Sequence, residues 1–318
     1  MNHMRIIFLG TPDFAVEALN AIITSGFNVV AVVTAPDKPA GRGLQLKASA
    51  VKQCAQTLGI PVLQPLKLKD SDFLEALRSY RADIQVVVAF RMLPEQVWSM
   101  PPLGTWNLHA SLLPAYRGAA PINHALINGE NITGLTTFKL VHAIDEGAIA
   151  LQLPIRIKPD ETAGELHDRM AILGGTLLSA TLKAIENNNL KLLEQCQIKN
   201  QDLPHAPKLN PAFCKIKWMQ KAHAVHNLVR GLSPYPGAHS TLHNGEDAFD
   251  VKIFKGCISE FPFQNSPAGT IIIEQSRLFV STADSWYELL EIQPAGKKRM
   301  PVREFLLGFR VKSALHFD

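Results

Sequence analysis

The first half of the chain alternates short, almost continuously apolar runs with longer stretches of mixed polarity. The apolar runs predict β-strands at residues 5–10, 28–34, 60–63, 83–90 and 105–109. Predicted helices between them begin near Pro12, Ser49 and Ser71, residue types that suit a helix N-terminus. Apolar strands separated by helices are typical of a parallel sheet covered on both faces. The pattern therefore predicts a doubly wound, mostly parallel α/β domain.

A different pattern begins after a long predicted helix at residues 162–189. Residues 190–207 are irregular and contain prolines, as expected of a linker. Beyond a helix near 221–230, the pattern predicts short strands at 238–242, 251–254, 269–273, 278–281 and 286–292. Short strands with turns between them predict a small β-barrel. The predicted organisation is an α/β domain at 1–189, a linker at 190–207 and a barrel domain at 208–318.

Composition limits the class of protein. With 47% hydrophobic and 19% charged residues, the 318-residue chain can bury a sizeable core, which excludes a disordered protein. Its apolar runs are too short to span a bilayer, and the first ten residues have the pattern of a buried strand rather than a signal peptide. The four cysteines lie far apart and show no metal-binding spacing. We therefore expect a cytoplasmic protein.

The net charge of +4 is unevenly distributed. Residues 1–204 contain 18 basic and 18 acidic side chains, whereas residues 205–318 contain 14 basic and 10 acidic side chains. A basic C-terminal part favours contact with a polyanion such as nucleic acid. An excess of four charges is also ordinary for solubility, so the count leaves both interpretations open.

The densest group of reactive residue types is Asn107-Leu-His-Ala-Ser-Leu-Leu-Pro-Ala-Tyr-Arg-Gly118, at the end of a predicted strand. Side chains two residues apart on a strand share a face, so Asn107 and His109 are expected to point the same way. They stand at the carboxyl end of the strand, where such sheets bind ligands. An amide could donate to a developing oxyanion, and an imidazole could act as a base near neutral pH. A histidine in this position can also be purely structural.

A carboxylate is expected near this pair from the turn Val141-His-Ala-Ile-Asp-Glu-Gly147, between two predicted strands. Asp145 on that turn could reach a histidine of an adjacent strand and orient its ring. His142 or Glu146 could take this role in a different register, and an ordinary turn would need none of them. The residues alone leave these alternatives open.

Two cationic segments could contact phosphate. The first, residues 36–47, is long for a loop in an α/β domain and contains Lys38, Arg42 and Lys47. The second follows a turn in the predicted barrel and consists of Lys297, Lys298 and Arg299. Guanidinium and ammonium groups pair well with phosphate. Both segments could equally be solvated surface.

Together these segments resemble the folate-dependent formyltransferases, and among them the methionyl-tRNA formyltransferases. The most specific match is the Asn-Leu-His-Ala-Ser-Leu-Leu-Pro-x-Tyr-Arg-Gly block at 107–118. The Pro-Ala-Gly-Arg-Gly loop and the segments at 133–147, 214–238 and 294–300 match as well, so the resemblance covers nearly the whole chain. It implies a formyltransferase-type α/β domain followed by a barrel of the oligonucleotide-binding type.

The resemblance also implies an activity. It predicts an enzyme that transfers the formyl group of 10-formyltetrahydrofolate to the α-amino group of methionine on initiator methionyl-tRNA, for the initiation of protein synthesis, as a monomer and without a metal. The family's catalytic Asn, His and Asp match Asn107, His109 and Asp145. A folate-contacting stretch of the family matches Ser111, Leu112, Leu113 and Pro114. The loop around Arg42 matches one that approaches the acceptor end of tRNA, with Lys38, Lys47, Lys297, Lys298 and Arg299 as further expected tRNA contacts.

Two positions depart from the family pattern. Many relatives have Ala-Tyr-Gly after the buried strand, whereas this chain has Ala89-Phe90-Arg91, so Phe90 and Arg91 are expected to give the folate pocket a different lining. Many relatives also have an acidic residue soon after the Asp-x-Gly turn, where this chain has Ala148. The second departure weakens any mechanism that needs another carboxylate there. Neither departure touches Asn107, His109 or Asp145.

Other functions compete with this prediction. A formyltransferase acting on an amino-sugar nucleotide would share the Ser-Leu-Leu-Pro block and can carry a second domain. A glycinamide-ribonucleotide formyltransferase would not need a second domain of this length. A nucleic-acid-binding protein with an inactive formyltransferase-like domain is the alternative outside enzymes.

Overall fold

The structure, a computed structural model, describes residues 4–40, 45–197, 202–263 and 266–318. The chain forms two compact units, each built from separated stretches of sequence. The first comprises Met1–Gly118, Thr133–Ile155 and His167–His205, and the second comprises Ala119–Ile132, Arg156–Leu166 and Ala206–Asp318. The predicted domain limits at residues 189 and 208 stay a prediction.

The strands are, in chain order, β1 (Arg5–Gly10), β2 (Asn28–Val33), β3 (Lys38–Ala40), β4 (Gln45–Lys47), β5 (Val62–Leu63), β6 (Ile84–Val88), β7 (Thr105–His109), β8 (Arg117–Gly118), β9 (Ile132–Lys139), β10 (Ile149–Arg156), β11 (His205–Ala206), β12 (Ala238–Asn244), β13 (Asp247–Ile258), β14 (Ile271–Glu274), β15 (Arg277–Ser281), β16 (Trp286–Pro294), β17 (Met300–Pro301) and β18 (Leu315–Phe317). The α-helices are α1 (Asp13–Thr24), α2 (Ala50–Thr57), α3 (Ser71–Ser79), α4 (Glu95–Trp98), α5 (Pro121–Ile127), α6 (Ala163–Glu186), α7 (Ala222–Leu232) and α8 (Val302–Leu307).

The first unit contains a seven-stranded sheet in the order β10-β9-β7-β6-β1-β2-β5. The pairs from β7 to β5 are parallel, and β9 lies antiparallel to β7. Five of the six β1 residues and all five β6 residues are buried, which is why their sequences are almost continuously apolar. The predicted doubly wound, mostly parallel α/β fold is confirmed.

Helix starts follow the local capping chemistry. The Ser49 hydroxyl accepts the Lys52 N–H at 3.1 Å and begins α2. At the start of α6, the Thr162 N–H donates to Glu165 Oε2 at 2.8 Å and the Glu165 N–H donates to Thr162 Oγ1 at 3.3 Å, a capping box. The backbone hydrogen bond from Thr162 holds the pKa of the Glu165 carboxyl below its ordinary value. Helix α6 ends at Glu186, three residues before its predicted end.

The segment predicted as a long loop at 36–47 is a hairpin in its described part. Strands β3 and β4 pair in antiparallel register, with Lys38 opposite Lys47. At its base, the Asp37 carboxylate accepts hydrogen bonds from Lys52 Nζ at 2.6 Å and Gln64 Nε2 at 2.8 Å. The hydrogen bond from Lys52 is the main cause that lowers the pKa of Asp37. These two hydrogen bonds hold Asp37, the residue before β3, in place.

The second unit contains an antiparallel sheet in the order β14-β15-β16-β13-β12-β18, with β17 also paired to β16. An antiparallel bridge between Thr270 and His316 joins the two edges of this sheet into a nearly closed barrel. The Tyr287 ring is fully buried in its core, and this burial raises the pKa of the phenol. The predicted small barrel is confirmed. In the part of the chain that the structure describes, no helix is both long and apolar enough to cross a membrane.

Candidate active site

Asn107 and His109 lie two residues apart at the end of strand β7, which is flanked by β6 and β9. Asn107 is aligned with Val87 of β6 and Phe138 of β9, so it lies in the middle of the sheet. Its side chain is half-buried and makes no hydrogen bond to any residue that the structure describes. The amide therefore has unused donors at the carboxyl end of a central strand, where a ligand would arrive.

The His109 ring is buried, and its hydrogen bond determines which nitrogen carries the proton. Its Nε2 lies 2.9 Å from the carbonyl oxygen of Tyr116. A carbonyl oxygen only accepts hydrogen bonds, so Nε2 must be the donor, and the lone pair of the neutral ring is then on Nδ1. The chain thus presents Nδ1 as the basic atom of this histidine.

The Asp145 carboxylate comes to this ring from the turn between β9 and β10. Its Oδ2 lies 3.9 Å from His109 Nδ1 and accepts the Gly118 N–H at 3.0 Å. Asp145 has a φ of 55°, in the left-handed region that few residues with a β-carbon adopt. A separation of 3.9 Å is longer than a hydrogen bond, but it lets the carboxylate stabilise a positive charge on the ring, and a small shift would bring the two atoms into hydrogen-bond contact.

The two alternatives on the same turn are placed elsewhere. Glu146 Oε1 pairs with Arg117 Nη1 at 3.0 Å, and His142 is exposed. Of the three residues, Asp145 is the one that the structure brings to His109. Gly147 closes the turn against β9, because a β-carbon at this position would lie 1.7 Å from the Lys139 carbonyl oxygen.

The segment Ser111–Pro114 is held rigidly beside these groups. Thr136 Oγ1 accepts the Leu113 N–H at 3.1 Å and donates to the Ser111 carbonyl at 2.7 Å. Gln152 Nε2 donates to the Leu113 carbonyl at 2.8 Å. The Ser111 hydroxyl is buried and donates to the Ala115 carbonyl at 2.6 Å, so it is not presented as a nucleophile. Leu112 and Pro114 are half-buried, and the peptide bond before Pro114 is cis.

Arg91 is engaged by the protein itself. Its Nη1 donates to the Leu66 carbonyl at 2.9 Å, and its Nη2 donates to the Pro65 carbonyl. The guanidinium carbon lies 5.7 Å from the centre of the half-buried Phe90 ring. Arg91 therefore ties the end of β6 to the segment after β5.

The cationic residues that were predicted to contact tRNA differ in whether an acidic side chain lies close enough to neutralise their charge. Lys38 and Lys47 are both exposed and face each other across the hairpin. Arg42 lies outside the described residues. In the barrel, Lys298 Nζ is 3.8 Å from Glu304, whereas Arg299 pairs with Glu291 at 2.5 Å and stacks 4.4 Å from the Phe254 ring centre. Lys297 is exposed.

Several contributors to this site were not predicted from the sequence. The Tyr116 carbonyl and the Gly118 N–H are backbone groups, and only the glycine, with a φ of 127°, gave a signal of an unusual conformation. Gln195, whose side-chain amide donates to the backbone carbonyls of Asp145 and Gly147, was also missed, because it lies in a segment without a regular pattern. Within the described residues, no group of three or more His, Cys, Asp or Glu side chains is placed to hold a metal ion.

Both parts of the chain match models of one protein family. Residues 4–182 match the formyl transferase family model, and residues 208–310 match the model of the formyl transferase C-terminal domain. The structure is also similar to a sugar 3N-formyl transferase solved with dTDP and 5-N-formyl-THF, with a TM-score of 0.65 and 18% identity, over 94% of this chain and 100% of that one. This second likeness concerns the fold alone.

Proteins that are similar in sequence identify the family more closely than the fold does. A methionyl-tRNA formyltransferase of Flavobacterium johnsoniae is 48% identical over 308 residues, which is 97% of each chain. A methionyl-tRNA formyltransferase of Bacteroides thetaiotaomicron is 47% identical over 97% of this chain and 96% of its own. The chain belongs to the formyl transferases, and within them to the methionyl-tRNA formyltransferase family.

Proposed function

We propose that this protein transfers the formyl group of 10-formyltetrahydrofolate to the α-amino group of methionine on initiator methionyl-tRNA. The relatives that share almost half of its residues over nearly their whole length carry this activity in their name. The observation that carries the chemical part of the proposal is the convergence of Asp145 Oδ2 on His109 Nδ1 at 3.9 Å, at the end of the strand that also carries Asn107. Together they offer a donor, a base and a carboxylate at one strand end.

Each of these groups has a distinct task. The bound folate would supply an activated formyl carbon, which the methionine amine attacks. The Asn107 amide would donate to the formyl oxygen as negative charge develops there. His109 Nδ1, whose lone pair is free because Nε2 donates to Tyr116, would take the proton from the amine and return it to the leaving nitrogen. Asp145 would supply negative charge opposite the proton that Nδ1 carries.

The residues at the neighbouring strand ends suit a planar ligand with polar edges. Leu66, Met92 and Ile144, which follow β5, β6 and β9, are 81%, 73% and 59% exposed, so large apolar side chains are available to a ligand there. Phe90 and the rigid Ser111–Pro114 segment supply a further ring and backbone polar groups. These features support a folate site. The assignment of Ser111, Leu112, Leu113, Pro114, Phe90 and Arg91 to it is part of the proposal.

The tRNA part of the proposal rests on charge. Lys38 and Lys47 are two exposed like charges opposed on one hairpin, an arrangement that an anion would stabilise. We assign phosphate contacts to them, to Arg42 and to Lys297 and Lys298. Arg299 is assigned a weaker contact because Glu291 already neutralises it. Location in the cytoplasm and a monomeric state stay predictions.

The test compares acceptors. The purified protein is incubated with 10-formyltetrahydrofolate labelled in the formyl group and, separately, with initiator methionyl-tRNA, elongator methionyl-tRNA and a UDP-amino-sugar. We expect label on the initiator tRNA and little on the other two. Label on the sugar alone would contradict the acceptor assignment, and no transfer to any acceptor would indicate an inactive binding protein.

A further inference from the structure

The segment that follows α6 returns to the edge of the first sheet. Leu193 and Ile149, the first residue of β10, exchange backbone hydrogen bonds of 2.8 and 2.9 Å. The chain then forms a short 3₁₀ turn, Gln195–Gln197. In this turn the Gln195 side chain is only 4% exposed, although Glu194 and Cys196 on either side are exposed. A segment predicted as an irregular linker thus directs one polar side chain into the protein.

Every hydrogen-bonding position of the Gln195 amide is used. Its Nε2 donates to the carbonyl oxygens of Asp145 and Gly147, both at 2.8 Å. Its Oε1 accepts from Arg117 Nε at 3.1 Å and from Arg117 Nη2 at 2.6 Å. A buried amide is tolerated when its donors and acceptors are all bonded, and four bonds leave it one orientation.

The two carbonyls that Gln195 binds lie on either side of Glu146, so the amide closes the turn that carries the carboxylate. Asp145 adopts a left-handed φ of 55°, a conformation that persists only where surrounding contacts fix it. The turn in this shape directs Asp145 Oδ2 to the Gly118 N–H and towards His109 Nδ1. The position of the carboxylate therefore depends on the bonds that Gln195 makes to the backbone behind it.

Arg117 connects the same turn to the 107–118 block. Its Nη1 pairs with Glu146 Oε1 at 3.0 Å, while Nε and Nη2 bind Gln195. Arg117 immediately precedes Gly118, whose N–H holds Asp145. Gln195 and Arg117 thus form a clamp between the 107–118 block, which contains His109, and the turn that carries Asp145.

We propose that Gln195 is a positioning residue for formyl transfer, acting through Asp145. This inference rests on the role proposed above for the Asp145 carboxylate. Gln195 holds the Asp145 turn in its left-handed shape, and Arg117 holds the Gln195 amide. Removal of the two donated hydrogen bonds releases the turn and weakens the bond between Asp145 and Gly118. A displacement of about 1 Å in a reacting constellation typically costs about 10²-fold in rate.

Two substitutions separate the donor function of Gln195 from its size. Gln195→Glu keeps the length and an oxygen facing Arg117, but an ionised carboxylate cannot donate to the Asp145 and Gly147 carbonyls. Gln195→Met keeps the length without charge and provides the same test if the glutamate variant does not fold. Glu194→Gln changes the exposed neighbour and is the matched control.

Three readouts are collected on the full chain. The first is kcat for formyl transfer, with KM for 10-formyltetrahydrofolate and for initiator methionyl-tRNA. The second is hydrogen exchange of the peptide that contains the Gly118 amide, measured by mass spectrometry, which reports the bond to Asp145 without any need for activity. The third is the melting temperature, which identifies variants that are simply unfolded.

We expect both Gln195 variants to lower kcat by about 10–100-fold, with little change in either KM and with faster exchange at Gly118, while Glu194→Gln resembles the unchanged protein. If hydrogen exchange of the Gly118 peptide is unaltered in both variants, the clamp is overturned, whatever their rates of formyl transfer. Faster exchange with an unchanged kcat would overturn its link to catalysis. If the unchanged protein transfers no formyl group, the proposed function fails, and faster Gly118 exchange in the variants would still support the clamp.

Discussion

One oxygen atom of Asp145, Oδ2, accepts the Gly118 N–H at 3.0 Å, across 27 residues of sequence. The same atom lies 3.9 Å from Nδ1 of His109. The glycine amide fixes the carboxylate without neutralising it, because a backbone N–H carries no net charge. This bond joins the turn at 145 to the 107–118 block, so the proposed site is built from both segments.

Replacing Asn107 by alanine tests the oxyanion donor. Removal of one such donor typically lowers the rate of acyl transfer by about 10²–10³-fold. Because the Asn107 amide makes no hydrogen bond to the described residues, we expect kcat to fall by this factor with little change in melting temperature. Asn189→Ala, at an exposed asparagine after α6, is the matched control. A kcat within a few-fold of the unchanged protein would remove Asn107 from the mechanism.

The turn at Gly147 should not tolerate a β-carbon. Gly147→Ala would place that carbon 1.7 Å from the Lys139 carbonyl oxygen, so the turn must move away from β9. We expect a clear loss of thermal stability and a fall in kcat, since Asp145 moves with the turn. Gly308→Ala is the control, because among the described residues no atom beyond its immediate chain neighbours lies within 4 Å of its β-carbon position. Equal melting temperatures and rates for the two variants would show that the turn does not constrain the site.

Salt dependence tests the hairpin as a tRNA-binding element. If Lys38 and Lys47 each neutralise a phosphate, the double alanine variant should bind tRNA more weakly. The slope of log K against log salt concentration should also become shallower by about 0.7–0.9 for each phosphate that is no longer neutralised. Lys67→Ala with Lys69→Ala removes the same charge from another exposed segment and should leave the slope unchanged. Identical slopes for all three proteins would argue that the hairpin lysines are solvated surface.

His226 should make the second unit sensitive to acid. Burial is the main cause that lowers the pKa of His226, and Arg230 and His223 lower it further, whereas Asp160 acts in the opposite direction. As the pH falls below about 6.5, the unfolded chain binds a proton that the folded chain resists, so the free energy of unfolding decreases. We expect denaturant titrations between about pH 7 and 5 to show a shallower pH dependence for His226→Gln. His205→Gln, at an exposed histidine, should retain the full dependence, and an unchanged dependence in His226→Gln would contradict the argument.

The sequence was sufficient for the parts of the fold that depend on local pattern. Apolar continuity located β1, β6 and β7, and the alternation on β7 placed Asn107 and His109 on one face. The 36–47 segment was misjudged as a loop because its hairpin strands are only three residues each, too short for a periodic signal. Short elements such as α5 and β18 escaped prediction for the same reason.

The sequence was sufficient to predict which side chains form the proposed site, but not how they are placed relative to one another. Which residue of the 142–146 turn faces His109 depends on the register of β9 against β7, which no local pattern reveals. The choice of Nδ1 as the free nitrogen depends on the Tyr116 carbonyl, a backbone group that carries no sequence signal. Gln195 contributes through one side chain in an irregular segment, so only its three-dimensional contacts identify it.

The proposed mechanism requires His109 and Asp145 to act as a unit in proton transfer. It is tested most directly by single-turnover formyl transfer to initiator methionyl-tRNA with His109→Gln, Asp145→Asn and the double variant. The glutamine can still donate to the Tyr116 carbonyl but cannot serve as a base, so the fold around the ring is retained. Each single variant should lose about 10²–10⁴-fold in rate, and the double variant should be little slower than the slower single one. Losses that multiply in the double variant would show two independent residues and contradict the account.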